Sequence, residues 1–286
     1  MAPFSSLPDT ALRLGRRELL LGGAAAGFAL AVRPVAASTV TTSTQGLTAG
    51  WVSVPAAEGP VKAYRARPAK GSGFPVVLVV QEIFGVHTYI QDVCRRLAQL
   101  GYLAIAPSLF DRQGDVTVLP DIAAILPLVA TVPDAQVMAD LDATAAWVAA
   151  SGEGDVSRLG ITGFCWGGRI TWLYAAHNPK LKAGVAWYGR LVGTPSERQP
   201  LFPIDVVSKL RAPVLGLYAG DDDGIPMESV QRMQAALKAA GSPSRIEVFP
   251  GLPHGFHADY RPTYRAAAAA AGWTQMQAWF RANGVI

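Results

Sequence analysis

A cysteine set among glycines is the most reactive feature of this chain. Gly163-Phe164-Cys165-Trp166-Gly167-Gly168 follows the apolar run Arg158–Thr162 and precedes the helix-forming run Arg169–Ala176. A strand, a Gly-x-Cys-x-Gly turn and a helix make a nucleophile elbow. Such a turn has no room for side chains on its flanks, so small residues sit there and the central residue is held at a strained apex. A thiolate at that apex attacks carbonyl carbon, provided a base takes its proton and donors receive the oxyanion.

Two later segments carry candidates for that help. Gly220-Asp221-Asp222-Asp223-Gly224-Ile225-Pro226 follows the apolar run Pro213–Ala219, and His254-Gly255-Phe256-His257 follows the run Arg245–Phe249. Open α/β sheets build their sites at such strand ends. His254 is placed to take the thiol proton, and a buried aspartate would fix its tautomer and stabilise the imidazolium. At least one of the three aspartates belongs to a solvated turn. Glu82 lies at the end of the buried-type run Phe74–Val80, where a charge is seldom tolerated without a partner. His87 and His257 are weaker candidates. His254-Gly-Phe-His257 is no metal-ligand spacing, so neither a metal nor a cofactor is expected.

The elements that must position these residues are legible as alternation. Trp51–Tyr64 suggests one or two antiparallel edge strands. Buried-type strands follow at Phe74–Val80, Tyr102–Ala106, Arg158–Thr162, Ala183–Tyr188, Pro213–Ala219 and Arg245–Phe249. Helices are expected over Tyr89–Leu100, over Asp134–Ala150 with an aspartate cap, over Glu228–Ala240 and over Thr263–Ala282. Residues 107–133, punctuated by four prolines, are expected to form a loop and short-helix excursion over the site. Strands alternating with helices, without repeat or linker, imply one α/β domain with a mainly parallel, doubly wound sheet and helices on both faces.

With these segments in hand the chain resembles the dienelactone hydrolase family of the α/β-hydrolase fold. Three segments carry the resemblance: Gln81-Glu82-Ile83-Phe84-Gly85-Val86, the elbow, and Asp222–Pro226 followed later by His254. The resemblance implies a hydrolase of ester or lactone bonds, with dienelactone as the first substrate and a thioester intermediate. It selects Asp222, four residues before Pro226, for a Cys165–His254–Asp222 triad, and adds Glu82 as a group that meets the resting thiol. Backbone N–H groups of Ile83 and Trp166 would form the oxyanion hole, and Tyr188 matches a pocket position. The two arginines with which family members hold a substrate carboxylate are absent. No Arg or Lys lies between Arg112 and Arg158, and Ala258 stands four residues past His254. Arg261 is the expected substitute, with Arg190 a second. The apolar stretch Val116–Val132 suggests a more hydrophobic acyl or alcohol group. A general carboxylesterase or thioesterase, and a non-catalytic ligand-binding member of the fold, are the alternatives.

The 286 residues suffice for one large domain, and a composition that is 50% hydrophobic excludes extensive disorder. The first 37 residues read as a leader. Arg16-Arg17 is a twin-arginine pair, a short apolar run follows, and Val35-Ala36-Ala37-Ser38 suits cleavage after Ala37. The expected organisation is a signal peptide over 1–37, a flexible lead-in over 38–50 and the domain over 51–286. The leader holds four arginines against Asp9 and Glu18, so its removal takes the net charge from +4 to +2. No basic run remains to suggest nucleic acid. The mature protein is expected to be a monomeric periplasmic or secreted enzyme without stable membrane insertion. Cys94 is read as a core residue.

Overall fold

The computed structural model describes residues 40–286; the leader expected over 1–37 lies outside them. Two strands, β1 (Leu47–Val54) and β2 (Val61–Pro68), form a hairpin. Then come β3 (Phe74–Val80), helix α1 (Thr88–Gln99) and β4 (Leu103–Pro107). A 3-10 turn at Val116–Val118 leads to α2 (Ile122–Ala130) and α3 (Asp134–Ser151), followed by β5 (Gly154–Phe164) and α4 (Trp166–His177). The chain continues through β6 (Ala183–Trp187), a 3-10 segment at Pro203–Lys209, β7 (Val214–Ala219), α5 (Met227–Ala239), β8 (Arg245–Phe249) and α6 (Ala266–Ala282).

The strands form one sheet in the order β1-β2-β4-β3-β5-β6-β7-β8. β2 runs antiparallel to both β1 and β4, and every later pairing is parallel. Helices on both sides cover the sheet, which is the arrangement of an α/β-hydrolase. β4, β6 and β7 are buried at every position, as their unbroken apolar runs require when both faces are packed. The strand order reverses between β3 and β4, so the C-terminal ends of β3 and β5 border a crevice.

Several boundaries differ from the sequence reading. Residues 47–50, expected in a loose lead-in, are the first half of β1, because their backbones pair with residues 65–68 of β2. The lead-in before them is also tied down: Thr42 donates its backbone N–H to Asp92 on α1 at 2.6 Å, and Arg95 donates to the Thr42 carbonyl at 3.0 Å. α6 begins at Ala266, three residues later than expected. Asp134 is not the cap of α3; Pro133 occupies that position. The Asp134 carboxylate instead takes both terminal nitrogens of Arg169 at 2.7 Å.

Candidate functional site

Cys165 joins β5 to α4 with φ 56° and ψ −114°, in the left-handed region that a side chain rarely adopts. The glycines explain how the turn is tolerated. A Cβ on Gly163 would fall on the carbonyl of Gly167, and a Cβ on Gly167 would fall on the carbonyl oxygens of Val80 and Gln81. The apex is thus pressed against the end of β3. It is held from the other side as well: Cys165 donates its backbone N–H to the Trp187 carbonyl at 3.0 Å. Arg169, one turn into α4, fastens the elbow through its paired bonds to Asp134 and a 2.5 Å bond to the Leu201 carbonyl.

His254 approaches from the loop after β8. Its Nδ1 lies 2.6 Å from Asp222 Oδ2, and both side chains are buried. Asp222 is itself oriented by the backbone N–H groups of Gly224 and Ile225, which donate to Oδ1 at 2.9 and 3.1 Å. Asp221 and Asp223 are exposed, so only the middle aspartate reaches the histidine. Burial works against a charged His254 ring, but the charges of Asp222 and Cys165 and hydrogen bonds to both outweigh it, and its pKa is pushed up to about 10. A cation held between a carboxylate and a thiol is suited to stabilising the thiolate and to returning a proton later.

Glu82 is fully buried. Its carboxylate accepts from the Tyr260 hydroxyl, lies 3.3 Å from Arg261 Nη2, and has His87 Nε2 at 3.7 Å. These three are the partners the structure gives the Glu82 carboxylate. Burial alone would raise the Glu82 pKa; Arg261, His87 and Tyr260 together lower it to about 2. Arg261 is buried too, its guanidinium 5.1 Å above Phe84 and its Nε donating to Tyr260 at 3.0 Å. Glu82, Tyr260 and the Cys165 charge hold it firmly protonated against burial. Arg261 Nη1 has no hydrogen-bond partner within the protein. Arg190 also feels the Cys165 charge, although burial dominates and lowers its pKa.

The remaining candidates fall into place around this centre. Tyr188 has φ 36°, and its ring meets His254 edge to face at 5.1 Å between centroids. Ile83 follows Glu82 in a turn closed by a Gly85-to-Glu82 backbone bond of 3.3 Å. Trp166 is the first residue of α4, where a helix leaves backbone N–H groups unpaired. His257 is a packing residue: its ring is stacked with Phe164 and Trp273, and it is bonded to the Tyr89 hydroxyl at 2.6 Å. Burial and the nearby Arg96 push its pKa down to about 3, so it stays neutral. Cys94 and Cys165 are both free thiols. Cys94 is fully buried in α1, and burial pushes its thiol pKa far up, so it is inert.

Sequence reasoning missed Tyr260 and the Asp259 carboxylate beside it. Asp259, Tyr260 and Arg261 are consecutive and all buried, in the loop that continues from His254. Arg96 of α1 donates to Asp92 and to Asp259, both at 2.6 Å. Three successive polar residues so soon after a site histidine were the available signal; which partners they find depends on α1 crossing beneath them.

Two cavities are lined by residues that flank Glu82. One of about 280 Å³ is lined mainly by apolar residues, Phe84, Leu119, Pro120, Ile122 and Ile125, together with Asp121, and has His87, Val116 and Thr117 on its border. A larger one of about 1030 Å³ shares that border and extends to Gln81, Phe110 and the β1–β2 hairpin. The excursion over 107–133 therefore contributes walls to both. Among the described residues no cluster of three or more His, Cys, Asp or Glu side chains could hold a metal ion, and no single helix is long and apolar enough to cross a membrane.

Comparison with known proteins agrees with this architecture. The dienelactone hydrolase family model matches residues 61–284. A protein of Methylorubrum extorquens designated a carboxymethylenebutenolidase is 58% identical over 274 residues, covering 95% of this chain and 94% of the relative. An Escherichia coli protein with the same designation is 55% identical over 260 residues, covering 90% and 96%. A crystal structure of a Klebsiella pneumoniae protein designated a dienelactone hydrolase superposes with a TM-score of 0.81 at 55% identity, covering 82% of this chain and 98% of that one. With the family model spanning most of the domain and relatives this similar along nearly their whole length, the chain belongs to the dienelactone hydrolase family and is a hydrolase.

Proposed function

We propose that this enzyme cleaves ester or lactone bonds by covalent catalysis at Cys165, with dienelactone-type lactones as its first substrate class. The observation that carries the reading is the convergence of a strained cysteine apex with a buried histidine bonded to Asp222 at 2.6 Å. In this mechanism His254 holds the thiol proton and the thiolate attacks the carbonyl carbon. Electrons of the C=O bond move to oxygen, where the N–H groups of Ile83 and Trp166 receive the charge. The intermediate collapses, the C–O bond breaks, and the departing alkoxide takes the proton from His254. In a lactone that alcohol stays attached to the acyl chain. Water, deprotonated by His254, then attacks the thioester; the C–S bond breaks and the acid is released.

Arg261 is proposed to bind a substrate carboxylate. Its Nη1 makes no bond within the protein, and the guanidinium interacts electrostatically with Cys165. Two of its nitrogens are already engaged by Glu82 and Tyr260, which keeps the fork in place. Glu82 then acts through Arg261, and Tyr188 walls the site beside His254. The apolar cavity of about 280 Å³ favours a second reading, a carboxylesterase with a hydrophobic acyl group. The twin-arginine pair and the small residues at Val35–Ser38 support export and cleavage after Ala37.

The experiment is turnover of cis- and trans-dienelactone and of a neutral p-nitrophenyl ester by the purified protein and its Cys165→Ala variant. Lactone turnover that vanishes in the variant is expected. Ester turnover alone moves the protein to the esterase reading. Turnover of neither by wild type with a reduced Cys165 sinks both and leaves a ligand-binding member of the fold.

A further inference from the structure

Gln81 is the last residue before Glu82 and the floor of the larger cavity. It is fully buried, yet neither its amide nitrogen nor its carbonyl oxygen makes a hydrogen bond within the protein. A buried carboxamide with both atoms unsatisfied is costly and calls for a partner that both donates and accepts. A hydroxyl group does both; a carboxylate or a quaternary ammonium cannot.

The rest of the cavity has the same character. Phe110, Val86 and Gly85 give it an apolar base, and Trp51, half exposed on β1, stands at its rim. Lys62, Asp111 and Asp115 also line the rim. Asp115 accepts from the backbone and hydroxyl of Thr117 at 2.8 and 2.6 Å and these bonds favour its ionised form, so Asp111 and Asp115 stand against Lys62 alone. Such a rim disfavours anionic groups and supplies donors and acceptors. An aromatic plate beside mixed polar groups, above a floor with an amide, suits a ring bearing several hydroxyls.

The cavity also lies where a substrate would use it. The Phe110 ring meets the ring of Trp166, the residue after Cys165, at 4.7 Å, and the backbone carbonyl of Gln81 is packed on Gly167 of the elbow. His87, Val116 and Thr117 line both this cavity and the smaller one, so two unlike chambers meet at His87, whose Nε2 lies 3.7 Å from Glu82. A small lactone needs little of the roughly 1030 Å³ available.

We propose a further substrate class: esters of polyhydroxylated alcohols such as sugars, with the hydroxylated part on Gln81 and Trp51 and the acyl chain in the apolar cavity. The inference rests on Cys165 as nucleophile for where the bond is cut. The acyl group passes to the sulfur, the sugar alkoxide takes the proton held by His254, and water completes hydrolysis to carboxylic acid and free sugar.

The test uses three butyrate esters with one acyl group and different alcohols: glucose, n-hexanol and choline. Wild type is expected to turn over the glucose ester with kcat/KM about tenfold above the hexyl ester, the scale of one or two substrate hydrogen bonds. Gln81→Met and Trp51→Ala should each cut that ratio by about fivefold or more; Trp51 is exposed, so its variant does not depend on core packing. A wild-type ratio near one, a ratio unmoved by either variant, or a preference for the choline ester overturns the proposal. If wild type hydrolyses none of the three but still turns over dienelactone, the proposal is overturned while the nucleophile stands; if dienelactone is not turned over either, the nucleophile reading has failed, and methyl glucoside is titrated into the protein and followed by NMR. Binding that weakens in Trp51→Ala then upholds the cavity's ligand class, and no binding overturns it.

Discussion

At the scale of single residues, His254 is the group whose behaviour reports the site. Its pKa of about 10 is sustained, against burial, by Asp222 and Cys165. Removing either charge must lower it. In an NMR titration of the ring, Cys165→Ala is therefore expected to bring the His254 midpoint down, and Asp222→Asn to bring it down as well. An unchanged midpoint in both would mean that the ring is not coupled to them. Asp222→Asn also loses control of the tautomer, which in the serine-based triad lowers kcat on the order of 10⁴-fold; a loss below about tenfold here would remove Asp222 from the mechanism. Arg261 separates two kinds of binding. Arg261→Lys keeps a charge beside Glu82 but loses the planar fork, so KM should rise for an anionic ester and hold for a neutral one.

At the scale of elements, the elbow is only as good as its anchors. Arg169 ties the first turn of α4 to the start of α3 and to the loop before Pro203. Its side chain is 4% exposed and that of Asp134 12%. Breaking a buried pair by removing one partner strands the other, at roughly 3 kcal/mol or more. Asp134→Ala should lower stability in urea by about that amount and lower kcat more than it raises KM, because the Cys165 turn, the proposed nucleophile, is displaced while the cavity walls from β1 and β2 are not. A stability change under about 1 kcal/mol would show that the pair is dispensable.

At the scale of the whole molecule, buried titratable groups set the pH range of the fold. His257 has its pKa lowered from 6.5 to about 3. Between those values the unfolded chain binds a proton that the folded chain refuses, so stability falls as pH drops from 6.5. Glu82, lowered from 4.5 to about 2, acts in the same sense lower down. His254 acts oppositely: raised from 6.5 to about 10, it keeps a proton that the unfolded chain releases, and stability falls as pH rises through that window. Each contributes at most about 1.4 kcal/mol per pH unit. Denaturant midpoints are expected to peak near neutrality and fall on both sides, and His257→Gln should flatten the acid limb. The proposed export predicts that N-terminal sequencing of the protein from a periplasmic fraction begins at Ser38; an intact N-terminus there, or absence from that fraction, overturns it.

The cysteine turn, the histidine-bearing loop, the strand alternation and the sheet class were legible in the chain because each is a local pattern. A Gly-x-Cys-x-Gly turn, an unbroken β-branched run and polar residues at strand ends are all written within a few residues. The choice of Asp222 over its neighbours was legible only through resemblance; in the fold it follows from Asp222 alone being turned inward beside His254. What the chain could not display were partnerships across distance. Glu82 and Tyr260 are 178 residues apart, Asp134 and Arg169 are 35 apart, and Thr42 and Asp92 are 50 apart. A buried charge announces that it needs a counter-charge, but which one it finds is decided by how the layers pack. The same holds for Gln81: its identity is in the sequence, while its lack of a partner at the floor of a cavity exists only once β1, β3 and the excursion over 107–133 have closed around it.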